Sequence, residues 1–176
     1  MNIIGPVRST ATLLAAAAVV LTAGCAPRQL PPSAPHELLG TAPKVETRPR
    51  LDGDLVELPA AGKVTVIDFW SSYCEPCLDS MPHLEQLWRR AGDDRLAVIG
   101  VNLDEDPFQT RDTLSDLGIT FPQVIDDGHI LSGIYRVTAI PAAFVYDRTG
   151  TLRFVALSDD YDHGRISSAA EFLLAE

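Results

Sequence analysis

The stretch FWSSYCEPC, residues 69–77, places two of the chain's three cysteines on either side of Glu75 and Pro76. A C-x-x-C pair has three ordinary uses: clamping a metal, cross-linking the fold, or trading electrons with other sulfurs. A structural zinc site takes four ligands. No second cysteine pair is present; His83, six residues after Cys77, is the nearest supplement, with His129 and His163 farther along. A purely structural Cys74–Cys77 disulfide closes too short a loop to constrain the unfolded chain much. Exchange chemistry needs something else: a thiolate at an exposed position and a second thiol within reach. A pair lying between a buried strand and a helix meets both needs. The first sulfur sits at the helix N-terminus, where unpaired N–H groups and the macrodipole favour the anion. The second lies one turn along, close enough to displace a bound partner and close a small disulfide ring. On this reading Cys74 is the exposed nucleophile and Cys77 the shielded resolving thiol. Pro76 stiffens the turn, and its missing N–H costs nothing at a helix start. Glu75 would oppose a thiolate beside it and is assigned to partner recognition.

The flanking pattern supplies the strand and the helix. KVTVIDFW (63–70) reads as a buried, β-branched strand, and Leu78, Met81, Leu84, Leu87 and Trp88 recur at helical spacing after the cysteines. GDLVEL (53–58) is a shorter strand, RLAVIGVNL (95–103) a second apolar one, and FPQVID another short one. Asp106-Pro107 forms a helix cap followed by proline in the first turn, with Gly118 as the stop. HILSGIYRV is a short helical piece. AAFVYDRTGTLRFVAL reads as a hairpin turning at residues 147–150, and a last helix is expected over 164–175. Alternating strands and helices ending in a hairpin and helix predict an α/β fold, a central mixed β-sheet covered on both faces by helices.

The first residues are expected to lie outside that fold. Arg8 is the only charge before the apolar run ATLLAAAAVVLTA (11–23). That run is shorter than the roughly 20 apolar residues of a spanning helix, and with its small-residue exit it reads as a signal peptide. The exit, LTAGC, resembles the lipobox of bacterial lipoproteins and makes Cys25 a lipidation site, with residues 1–24 as signal; Leu21 lies one place early for that motif, and ordinary cleavage near Ala23 or Ala26 is the alternative. Residues 25–48, with five prolines and little periodicity, are expected to form an extended tether, and residues 49–176 the folded domain. The net charge of −10 excludes a nucleic-acid partner, since phosphate binding needs a basic face.

VIDFWSSYCEPCLDSMP resembles the active-site segment of thioredoxin-like proteins, and the chain from about residue 50 onward is similar to the exported TlpA/ResA branch, whose CEPC it shares. The resemblance implies a thioredoxin-like fold with an N-terminal β-hairpin and a central strand–helix insertion, here VIGVNLDED and the helix after it. It implies a thiol–disulfide oxidoreductase needing no cofactor and no metal. Members of the branch are anchored or periplasmic, and several reduce apocytochrome c before haem attachment. Trp70 matches the tryptophan packed beside the dithiol, and Tyr73 stands where thioredoxins have another; both are placed in the substrate-binding set with Glu75, Pro76 and Ile140. Pro82 matches the proline that kinks the active-site helix. VTAIPAAFVYDRTG resembles the loop whose cis-proline faces the dithiol, making Pro141 its counterpart and exposing the Ile140 backbone for an added substrate strand. Asp68 matches the buried aspartate that assists proton transfer at the resolving thiol. The ResA type more often has asparagine there, with a glutamate three residues after the second cysteine, where this chain has Ser80. The base role is therefore assigned to Asp68, ahead of Glu105 and Glu75.

The expectation is an envelope-facing protein-disulfide reductase, lipid-anchored at a bacterial membrane. Its partners would be protein thiols and disulfides, with a membrane thiol protein as electron donor. A copper chaperone using Cys74, Cys77 and a histidine is the alternative. A peroxidase is a third reading, though the pattern P-x-x-x-[TS]-x-x-C is absent around both cysteines.

Overall fold

The computed structural model describes Met1 and residues 29–176; the expected signal segment and Cys25 lie outside the described residues. Two seven-residue apolar blocks form its centre. VTVIDFW makes β3 (Val64–Trp70) and LAVIGVN makes β4 (Leu96–Asn102), every residue of both buried. Such runs lack polar alternation because both sheet faces are covered. They pair in parallel, from Val64 opposite Leu96 to Trp70 opposite Asn102. On the far side of β4 lies β5 (Gln123–Ile125), also parallel. The hairpin of β6 (Ala142–Tyr146) and β7 (Leu152–Ala156) joins the other edge of β3 antiparallel. The order β5-β4-β3-β6-β7 makes β3 the middle strand, so the mixed sheet is as expected. The strand and helix expected as an insertion are β4, deep within the sheet, and α2 (Pro107–Leu117).

Period-two alternation sorts β3 between two cores. Val64, Val66 and Trp70 pack with Met81, Leu84 and Leu87 of α1 (Glu75–Ala91) and with Ile166, Ala169 and Leu173 of α4 (His163–Ala175). Ile67 and Phe69 face the opposite way, onto Tyr135, Phe144 and Leu131 of α3 (Ile130–Ile134). Fully burying one such side chain contributes about 1.5–3 kcal/mol. The helix ends follow their sequence signals: Asp106 caps α2 by accepting the Phe108 N–H at 2.9 Å, and Gly118 ends it in the left-handed region at φ 65°. α1 runs on through Pro82, whose missing N–H leaves the Leu78 carbonyl without its helical donor. Glu85, buried on α1, accepts from the Thr120 N–H and hydroxyl, the Phe121 N–H and Arg89. Burial opposes its ionisation, but those donors outweigh it and hold its carboxyl below the usual range.

Two boundaries need correction. The tether does not hold for residues 29–48. Ala34 is buried, its N–H donates to the Val155 carbonyl at 2.9 Å, and the Val155 N–H reaches Ser33 Oγ at 2.9 Å. Gly40 N–H donates to Leu152 O and Leu152 N–H to Thr41 O, both at 2.8 Å. The segment is thus a strap along the open edge of β7. An uncovered edge strand leaves a row of unpaired backbone groups, and donors and acceptors between the prolines satisfy them. The domain also begins before residue 49, because β1 (Glu46–Pro49) pairs antiparallel with β2 (Leu55–Leu58) as the N-terminal hairpin.

Deleting residues 29–41 should lower unfolding stability by about 2 kcal/mol, read from the urea midpoint, because four backbone contacts and the Ala34 burial are lost. An unchanged midpoint would mean that the strap adds nothing.

Candidate active site

Register brings the site together. Phe69 of β3 pairs with Ala142 of β6, so the chain leaving β3 and the chain entering β6 emerge side by side. The leaving loop is pinned from below. Leu103 N–H donates to Trp70 O at 2.9 Å, and Ser72 N–H reaches both carboxylate oxygens of buried Asp104 at 3.1 Å. Asn102 Nδ2 donates to the same carboxylate at 2.9 Å. Held this way, Cys74 becomes the N-cap of α1 with extended backbone (φ −96°, ψ 91°) and no side-chain cap bond, while its carbonyl takes the Leu78 N–H. Its sulfur therefore lies where a helix presents unpaired N–H groups.

Cys74 and Cys77 are joined as a disulfide with their Cα atoms 5.2 Å apart, within the ordinary range for such a bond. Cys74 is half-buried and Cys77 fully buried. Glu75 and Pro76 are exposed on the first turn. The Ile140–Pro141 peptide is cis, Pro141 is buried and Ile140 half-buried. No backbone hydrogen bond ties Ile140 to other described residues. Between Ile140 and the Ser71–Tyr73 loop opens a cleft of about 610 Å³, walled by Asp104, Glu105, Asp106 and His129. A neighbouring cavity of about 460 Å³ shares Leu103, His129 and Ile140 with it.

Two residues of the substrate-binding set sit differently from expectation. Trp70 is fully buried and donates its indole N–H to Gln123 Oε1 at 2.9 Å, so it supports the loop and cannot touch a protein substrate. Gly100 makes that bond possible: a Cβ there would lie 2.0 Å from the Gln123 oxygen. Tyr73 is 79% exposed and gives its hydroxyl hydrogen to Gln109 of α2 at 2.7 Å, which makes it the rim of the cleft and no cover for the sulfur.

Asp68 lies on the Trp70 face of β3, fully buried, in the middle of the sheet. Its cross-strand neighbours are Gly100 and Ala143, two small residues that leave it room. Oδ1 accepts the Tyr161 hydroxyl at 2.7 Å, and Oδ2 has no partner among the described residues. Burial pushes its carboxyl up to about 7, against the pull of the Tyr161 hydrogen bond. Glu105 and Glu75, the lesser base candidates, are both exposed. Tyr161 itself escaped the sequence reading: it stands among three aspartates in a loop with no periodicity, and only the fold turns its ring inward. Its hydroxyl also lies 3.1 Å from Ser80 Oγ, which donates to the Cys77 carbonyl at 2.8 Å. Of the histidines weighed as metal ligands, His83 and His163 stack ring on ring at 3.8 Å, and His129 lines the cleft.

Comparison with known proteins agrees with this arrangement. The model of the AhpC/TSA family matches residues 40–155. The chain is 30% identical over 101 residues to the thiol-disulfide oxidoreductase ResA of Bacillus thuringiensis (strain Al Hakam), covering 57% of this chain and 58% of that relative. It is 33% identical over 109 residues to the thiol-disulfide oxidoreductase YkuV of Bacillus subtilis (strain 168), covering 58% and 73%. The match thus spans less than two thirds of ResA and nearly three quarters of YkuV. The crystal structure of StoA from Bacillus subtilis has the same thioredoxin-like fold, with a TM-score of 0.63 and 22% identity over 72% of this chain and 96% of that one.

A carboxyl whose folded pKa is raised contributes stability that is complete below the ordinary carboxylate range and lost as pH rises through about 7. Asp68→Asn should therefore leave stability near pH 4 little changed and raise it at pH 8, by on the order of 4 kcal/mol. Urea unfolding at the two pH values checks this; equal effects at both would place the Asp68 carboxyl in contact with water.

Proposed function

The chain belongs to the AhpC/TSA family, and on that premise we propose that it is a thiol–disulfide oxidoreductase acting on protein disulfides, working as a reductase. The observation that supports this most is the pairing of a half-buried Cys74 at the α1 N-cap with a fully buried Cys77, at the same end of the sheet as the cis-prolyl bend at Ile140–Pro141. In the reduced form the Cys74 thiolate attacks one sulfur of a substrate disulfide. That bond breaks, the other substrate sulfur leaves as a thiolate, and a mixed disulfide with Cys74 remains. Cys77 then attacks Cys74 and gives its proton to Asp68, and the second substrate sulfur departs. Two electrons have passed from the dithiol to the substrate, and Cys74–Cys77 is left oxidised, the state seen here. The open backbone of Ile140 offers an extended substrate segment a strand-like partner, with Tyr73, Glu75 and Pro76 on the rim.

The same reading assigns the chain to the cell envelope. The apolar leader and the LTAGC exit support export, with Cys25 as the acylated anchor. Exported space oxidises thiols, so a membrane thiol protein must recharge the pair. The carboxylates of Glu75, Asp79, Glu105 and Asp106 around the site favour a basic client, and an apocytochrome c awaiting haem is one with the needed cysteines.

Cys77→Ala removes the resolving sulfur, so the variant should accumulate substrate covalently on Cys74, released by dithiothreitol and absent from the double variant Cys74→Ala/Cys77→Ala. Wild-type protein should reduce insulin disulfides with a dithiol as donor. A variant that gathers no adduct, together with a wild type inactive on insulin, would sink the assignment.

A further inference from the structure

Three short oxygen–oxygen contacts run in line from the sheet to the active-site helix. Asp68 Oδ1 meets the Tyr161 hydroxyl at 2.7 Å, that hydroxyl meets Ser80 Oγ at 3.1 Å, and Ser80 Oγ meets the Cys77 carbonyl at 2.8 Å. Each contact needs one hydrogen. The carbonyl has none to give, so Ser80 must donate to it, and Tyr161 must then donate to Ser80. The hydrogen between Tyr161 and Asp68 has to come from Asp68 itself. With Asp68 ionised, two hydrogens serve three contacts: Tyr161 turns to the carboxylate, and its oxygen faces the Ser80 oxygen with nothing between. The line is fully bonded only when Asp68 is protonated.

We propose that Tyr161 and Ser80 are positioning residues that couple the proton on Asp68 to the seat of Cys77 through this shortage of hydrogens. The proposal rests on the reading that Asp68 takes the Cys77 proton. In the resolving step the Cys77–Cys74 bond forms, the Cys74–substrate bond breaks, the substrate sulfur leaves as a thiolate, and the Cys77 hydrogen passes to Asp68. That hydrogen is the third one the line lacks. Its arrival lets Tyr161 turn to Ser80, and the oxidised form is held with the Cys77 carbonyl tied back to the sheet.

The surroundings leave this line to act alone. β4 and β6 present Gly100 and Ala143 to Asp68, α4 contributes Ile166 and Ala170 to this face, and α1 contributes Cys77 and Ser80. Among the described residues there, Tyr161 and, once the disulfide is reduced, Cys77 are the titrating groups besides Asp68. Burial, and then the facing Asp68 carboxylate, push the Tyr161 phenol well above the ordinary tyrosine value, which keeps its hydrogen in place.

The test is the Asp68 titration followed by carboxyl carbon-13 NMR in the disulfide form, where no thiol interferes. Tyr161→Phe keeps the ring but removes the donor that stabilises the carboxylate, so the midpoint should rise by about one pH unit. Ser80→Ala frees the Tyr161 hydrogen for Asp68 alone, so the midpoint should fall by about half a unit. Ser80→Thr restores the hydroxyl and should return the wild-type value. A merely structural role would move both midpoints the same way or neither, and either result overturns the proposal. Insulin reduction by the wild type separates the two readings. Opposite shifts in an inactive protein would retire the reductase while keeping the hydrogen-bond line; an active protein without opposite shifts would retire the line alone.

Discussion

One carboxyl group in the middle strand of the sheet, with a single hydrogen-bond partner among the described residues, sets the terms for everything around it. Burying an ionised carboxylate without full compensation costs several kcal/mol, so the group holds its proton toward neutral pH. The sheet makes room for it with a glycine and an alanine on the two adjacent strands. A well-packed leucine at position 68 would give a more stable β3, since apart from Thr65 the strand is otherwise apolar. Stability is given up here at the one strand whose end carries the cysteines, and such local conflicts concentrate where chemistry is done.

The second constraint is the short loop from Trp70 to Cys74. A loop leaving the end of a strand is free to wander unless its backbone is held, and a nucleophile needs its attack direction fixed. Here the bottom of the loop hangs on the Trp70 carbonyl and its middle on the Asp104 carboxylate, which is itself clamped by Asn102. Trp70 anchors below, through an indole bond that only a glycine at position 100 permits. The result is a loop held at Trp70 and Ser72 that ends at Cys74, with Ser71 and Tyr73 walling the cleft toward Ile140. Sheet register does the rest, because pairing Phe69 with Ala142 places the prolyl bend at the same end of the sheet without any special loop.

The order of elements and the location of the dithiol were legible in the sequence because they are written in local signals. Apolar blocks of seven mark β3 and β4, helical spacing marks α1, and Asp106, Pro107 and Gly118 bracket α2. Features that depend on a distant partner were not legible. The strap over β7 reads as a tether, because prolines and weak periodicity describe the segment alone, while its hydrogen bonds are made to residues more than a hundred positions away. Trp70 enters the substrate-binding set by resemblance although its strand reads as buried, and its distant indole partner Gln123 has no local signal. The cis peptide before Pro141 came from resemblance, and the one before Pro59 had no signal at all.

Tyr161 explains a difference that the sequence could only note. The type that the chain resembles more often carries asparagine where Asp68 stands and a glutamate where Ser80 stands. In a sequence these are two unrelated changes twelve positions apart. In the fold they are the two ends of one hydrogen-bonded line, joined by the Tyr161 hydroxyl. An acid at either end would meet the same Tyr161 hydroxyl, so moving it from helix to strand keeps the hydrogen-bonded line while changing which side of the sulfurs stores the charge. On the strand the acid is fully buried and disfavoured as an anion. That position suits the proton acceptor proposed for the resolving step, a group that takes its proton from a buried thiol.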